Sequence, residues 1–194
     1  MRNLSNSTNY KKAQPYTQQE RLPIGGYILK ILDVEYKEND WGDQLVLSYD
    51  IEEGEQKGFY RKNYQNQTGE DKKWKGTTRI AVPKDDGTEE DEWKMRSFKT
   101  MVEAFEDSND GYHWDWNETT LKGKLIGGVF NNKEWEMNGR SGFFTNCHHL
   151  TSAENIRKGN FKVPDDTLLK GTTRKVDENG GWMDVSGDQE ELPF

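Results

Sequence analysis

One cysteine, Cys147, and three histidines are all that 194 residues contain of the side chains most used for disulfides, thiol chemistry and zinc. A lone thiol cannot close an internal disulfide, and it suits a reducing compartment. Apolar residues are scarce too, 31% of the chain against 32% charged, so a core must be concentrated in one part and the rest left solvated. No apolar run approaches the length of a membrane span. The opening MRNLSNSTNYKKAQPYTQQ has no stretch that could act as a signal peptide, so a cytoplasmic protein is expected. A phosphate-cradling glycine motif, a serine nucleophile elbow and internal repeats are also missing from the sequence.

The length suits one domain with tails. The net charge of −8 looks wrong for a nucleic-acid binder until it is divided by region. Residues 177–194 hold six acids, Asp177, Glu178, Asp184, Asp188, Glu190 and Glu191, with no lysine or arginine, which leaves −2 for everything before them. A second acidic block runs from Asp85 to Glu92.

The predicted organisation has three parts. Residues 1–20, rich in Asn, Ser, Thr and Gln, cannot bury enough surface to offset ordering entropy and read as a flexible polar arm. Residues 21–164 form the binding domain, and residues 165–194, where periodic apolar patterning stops, a disordered acidic tail. Within the domain, GYILKILDVEY from Gly26 and QLVLSYDI from Gln44 read as strands, the second alternating cleanly, with KENDWGD as the turn between them. GFYRKNY from Gly58 and GTTRIAV from Gly76 read as further extended segments. Phe98, Met101, Val102 and Phe105, extended upstream by Met95, have helical spacing, with acids Glu89–Glu92 before them and DSNDG after. LKGKLIGGVF from Leu121 and GFFTNCHHL from Gly142 read as two more strands, with a bulge or bend at Gly127 and Gly128. Three extended segments, one helix, then two more is the order of the oligonucleotide-binding fold, so the expected architecture is a mainly β, five-stranded Greek-key barrel with one helix between strands 3 and 4.

The stretch from Phe59 to Arg79 interleaves aromatics with cations: Tyr60, Arg61, Lys62, Tyr64, Lys72, Lys73, Trp74, Lys75 and Arg79. Single-stranded nucleic acid matches this mixture, since each base offers a face for stacking and each nucleotide a phosphate charge. As a strand, the segment would align Tyr60, Lys62 and Tyr64 on one face, with Phe59 turned to the core. Trp41, Trp135 and Phe144 are further candidate platforms, and Lys122, Lys124, Lys133 and Arg140 candidate backbone contacts. Ordinary strand aromatics beside solvated lysines would give the same composition.

TNCHHL, from Thr145, puts Cys147 and His149 on one strand face and His148 on the other, so the three do not converge. No metal site, cofactor or catalytic residue is expected. The loop DDGTEEDE lacks the spaced ligands and central glycine of a calcium loop and reads as a solvated loop and helix start.

The closing DQEELPF resembles the acidic tip of bacterial single-stranded DNA-binding proteins, with Asp188, Glu190 and Glu191 as the acidic run, Leu192 as the apolar residue, and Pro193 and Phe194 matching directly. The resemblance implies a body that holds DNA and a tip that recruits replication, recombination and repair proteins; the whole chain looks most like those of phages and prophages. It covers about seven residues, and the body, with its polar arm and acidic loop, does not visibly match the usual bacterial protein. The expected function is therefore non-enzymatic, sequence-tolerant single-stranded DNA binding in a phage or prophage replication and recombination module, with homo-oligomers allowed. The rival is an adaptor or decoy that captures host replication or repair enzymes through the tip and binds no DNA. A nuclease or other metal enzyme would need a converging carboxylate set that the sequence does not display.

Overall fold

Apolar residues recur on both faces of the strand that follows Gly25, as expected where a sheet is covered on both sides. This strand, β1 (Gly25–Lys37), is the centre of the computed structural model, which describes residues 3–12, 21–68, 70–169, 175–176 and 182–183. It pairs antiparallel with β2 (Gln44–Ile51) on one side and β4 (Leu125–Met137) on the other. With β3 (Thr77–Ala81) and β5 (Arg140–Thr151) they form one sheet in the order β3-β2-β1-β4-β5. The helices are α1 (Thr8–Lys12), α2 (Phe59–Asn66), α3 (Glu89–Ser108) and α4 (Ala153–Arg157), with a 3-10 turn at Glu118–Leu121. A two-residue pair, β6 (Lys175–Val176) with β7 (Trp182–Met183), stands apart from the main sheet in the ladder.

One face of the sheet carries Leu29, Ile31, Leu47, Tyr49, Ile126 and Phe130 into a core completed by Phe98, Met101 and Phe105 of α3. Each large side chain fully buried here contributes roughly 2–3 kcal/mol. The helix starts where its acids predict: Thr88 caps it by accepting from the Asp91 N–H, and Asp91, itself buried, accepts from the backbone N–H groups of Lys84, Asp85 and Asp86. The acidic loop is thus organised around one carboxylate. At the other end Asn109 donates to the carbonyls of Phe105 and Leu125 and accepts from the Leu125 N–H, clamping α3 to β4. On the opposite face of β1 and β4, Gly26 and Gly127 admit Ile156 and Phe161 so closely that an added Cβ would stand 2.5 Å from the Phe161 ring and 2.7 Å from Ile156.

Two expectations are corrected. The sheet is not a barrel. Closure needs its two outermost strands to pair, and among the described residues β3 and β5 remain edges. The fold is a mixed α/β arrangement built on an open five-stranded antiparallel sheet, with α3 between β3 and β4. The segment from Gly58 is not a strand either: Phe59–Asn66 is helix α2. Gly58, at φ 72°, stands at the N-terminal cap position of α2 and offers no side-chain cap. Asp50, buried at the end of β2, supplies one from across the turn by accepting from the N–H groups of Ile51 and Tyr60.

Burial sets the acid–base behaviour of the core. The Cys147 thiol is pushed up to about 12, and burial also holds the Tyr49 and Tyr60 phenols above their ordinary range. All three stay protonated when folded but ionise at lower pH once exposed. Their contribution to stability is therefore complete below the ordinary thiol value of 9.0 and falls as pH rises through and beyond it. Thermal melts should show Tm declining from about pH 9 upward. A disulfide reagent at pH 8 should leave Cys147 untouched in native protein and react with it promptly in urea; rapid native labelling would contradict the burial.

Candidate nucleic-acid interface

The cationic and aromatic residues singled out in the sequence fall into separate places. Tyr60 is 7% exposed, edge-on to Tyr49 with ring centroids 5.5 Å apart, so the expected row of Tyr60, Lys62 and Tyr64 does not exist. On a helix Tyr60 and Tyr64 share a side while Lys62 points elsewhere. Phe59, expected to face the core, packs against it from α2. Arg61 lies 3.9 Å from Asp50, and Lys62 is exposed. Tyr64 leans on Trp74 at 5.8 Å and lies under Lys72 at 5.9 Å. Lys72 donates to the Gln65 carbonyl, and the Lys73 backbone exchanges two hydrogen bonds with the Gln67 side chain. Trp74 donates its indole N–H to the carbonyls of Tyr49 and Gly76, making it a structural brace. Lys75 is exposed beside it, Arg79 is exposed on β3 opposite Val46, and Trp41 stands 93% exposed in the β1–β2 turn. Of the candidate backbone contacts, Lys122 pairs with Asp33 at 3.2 Å and Lys124 lies over the Tyr112 ring at 4.2 Å.

One group does converge. In the β4–β5 hairpin the directly opposed pairs are Lys133 with Phe144, Trp135 with Gly142, and Met137 with Arg140. Directly opposed residues share a face, and alternate pairs share the same one, so Lys133, Trp135, Met137, Arg140 and Phe144 stand on a single side of the ribbon. All five are exposed. The acids of β4 fall on the other side, since Glu134 opposes Phe143 and Glu136 opposes Ser141. Neither Lys133 nor Arg140 has an ion-pair partner among the described residues. Trp135 and Phe144 are diagonal neighbours, about 7 Å apart by sheet geometry. The Trp135 indole lies across Gly142, 3.1 Å from where a Cβ would stand.

The ribbon is built to hold this face out. Asn138 and Gly139, at φ 52° and 71°, make the two-residue turn at its tip. Beyond Phe130, which faces Gly25 at the start of β1, the pairing with β1 stops, and residues 165–169 run beside β4 instead. Thr167 bridges Lys133 in parallel, its N–H donating to the Asn132 carbonyl and its carbonyl accepting from the Glu134 N–H. Asn131 donates to the Asp165 carbonyl and the Thr167 hydroxyl, and buried Glu134 accepts from the Leu169 N–H. On the β5 side Arg21 donates to Thr145 and Asn132, and Thr145 donates to the Leu22 carbonyl.

The bulge expected near Gly127 and Gly128 falls between Val129 and Phe130 and leaves His148 unpaired, so simple alternation does not hold through TNCHHL. The His148 and His149 Nδ1 atoms lie 3.1 Å apart, and burial, with His148 next to it, holds the His149 imidazole below its usual range. No group of three or more His, Cys, Asp or Glu side chains among the described residues is arranged to hold a metal ion, and no helix among them is long and apolar enough to cross a membrane. Asp188, Glu190, Glu191, Leu192, Pro193 and Phe194 lie outside the described residues.

Reading the sequence missed Met137 and the unity of the face. Asn138-Gly139 between alternating segments was the signal that could have found both. Comparison with protein-family models and with curated proteins finds no match for this chain.

Proposed function

We propose that the chain binds single-stranded DNA with little sequence preference through the exposed face of the β4–β5 hairpin, in the replication and recombination setting that its closing residues suggest. The observation that supports this reading is the grouping of Trp135 and Phe144 with Lys133 and Arg140 on one face from which the acids of β4 are excluded. Bases stack on the two rings while the cations meet the phosphates on either side. Duplex DNA keeps its bases stacked on one another and leaves such rings without a partner. Recruitment of other proteins by residues 188–194 belongs to the same proposal and rests on the sequence resemblance.

The test is titration with oligo-dT at several salt concentrations, using the full chain, a chain lacking residues 188–194, and Lys133→Ala/Arg140→Ala. Affinity should fall as salt rises and survive removal of the last seven residues. The double variant should flatten the plot of log K against log salt by about 1.4, the share of two phosphate contacts on a single strand. Absence of binding at low salt by both the full chain and the chain lacking residues 188–194 would overturn the proposal.

A further inference from the structure

Away from the hairpin, an apolar groove of about 500 Å³ opens between the ends of β1 and β2, α3 and the loop before the 3-10 turn. Tyr36, Leu45, Met95, Phe98, Trp114 and Trp116 form most of its wall. Its size falls within the ordinary range of ligand sites. The rings are ordered: Phe98 and Trp116 lie parallel, centroids 6.3 Å apart and planes 12° apart, with Trp114 5.0 Å from Trp116.

Trp116 is the unusual member. It is 73% exposed and sits at φ 64°, a left-handed backbone conformation costly for a bulky residue. The loop enforces it. Asp115 accepts from the Asn117 N–H and the Thr120 hydroxyl, Asn117 accepts from the N–H and hydroxyl of Thr119, and Trp114 donates to the Asn117 carbonyl. A strained loop locked by its own hydrogen bonds holds a large indole in water beside an apolar groove.

Charge selects the occupant. Asp85 and Glu118 are the charged side chains of the lining, with no lysine or arginine among the described residues that form it. DNA is repelled by that pair, and so is the chain's own acidic segment with Asp188, Glu190 and Glu191. A cation flanked by apolar atoms is favoured twice, by the carboxylates and by the faces of the two indoles. We infer that this groove docks a partner protein through a short segment presenting arginine or lysine beside an apolar residue. The inference stands apart from the DNA reading, since it uses another surface and opposite charge.

The test is selection of a random dodecapeptide library, displayed on phage, against the full chain, with Trp116→Ala as counter-target. Far-UV melts check that the variant folds, which the exposure of Trp116 favours. Enriched peptides should carry arginine or lysine next to leucine, proline or an aromatic residue. Measured by fluorescence anisotropy, the leading labelled peptide should bind Trp116→Ala and Asp85→Asn/Glu118→Gln each about tenfold more weakly. It should bind Trp135→Ala/Phe144→Ala as it binds the native chain, which separates this surface from the hairpin. Replacing the cation of the peptide by glutamine should erase the effect of Asp85→Asn/Glu118→Gln. Enrichment of acidic peptides, enrichment indifferent to Trp116, or no enrichment at all would overturn the inference.

Discussion

Replacing Trp135 and Phe144 together by alanine should weaken oligo-dT binding about a hundredfold, since each stacked base contributes about 1–3 kcal/mol and two stacks are lost. The fold should be little disturbed, because both rings are partly exposed, outside the buried core, on a ribbon anchored at its root by Thr167, Arg21 and Glu134. Fluorescence anisotropy with a labelled oligonucleotide reads the affinity, and a thermal melt reads the fold. Tyr60→Ala provides the contrast. It removes a buried ring packed on Tyr49 and so should lower Tm while acting on DNA only through unfolding. Unchanged affinity in the Trp135/Phe144 variant would exclude the hairpin as the stacking platform and turn attention to the lysines around Tyr64 and Trp74.

Asp50→Ala should cost about 3 kcal/mol, measured as a shift of the urea midpoint at constant slope. The carboxylate is buried, and one of its oxygens accepts from two backbone N–H groups, those of Ile51 and Tyr60. Alanine leaves both donors without this partner, Ile51 at the end of β2 and Tyr60 in the first turn of α2, where Gly58 offers no cap of its own. Asp50→Asn keeps an acceptor oxygen in place and should cost about 1 kcal/mol. A near-neutral Asp50→Ala would show that α2 is held by the burial of Tyr60 alone.

The strand β2 and the long helix were legible because each carries its periodicity in its own residues, whereas β1 is apolar on both faces and β3 has no alternation of its own. Gln44 to Ile51 alternates, and Phe98, Met101 and Phe105 recur at helical spacing behind four acids. The segment after Gly58 was not legible. FYRKNY is rich in aromatics that favour strands, and its helix depends on Asp50, ten residues before the Tyr60 N–H it accepts from, and on a pocket for Tyr60 formed against Tyr49 and Gly76. The candidate surface was half legible. Trp135, Phe144, Lys133 and Arg140 could each be named, but their common face depends on a register set by the Asn138-Gly139 turn.

By itself the sequence determined the composition of the parts: scarce apolar residues, one thiol, and cations interleaved with aromatics. Local patterning also determined which segments were strands wherever a period of two was unbroken. Tertiary structure decided that the sheet stays open, that Tyr60 is core, and that one ribbon gathers the exposed cations and rings while a separate groove gathers indoles and acids. The physical reason is that pairing register and long-range capping are set by contacts between residues far apart in the chain, and a side chain's type does not say which of its neighbours in space will bury it.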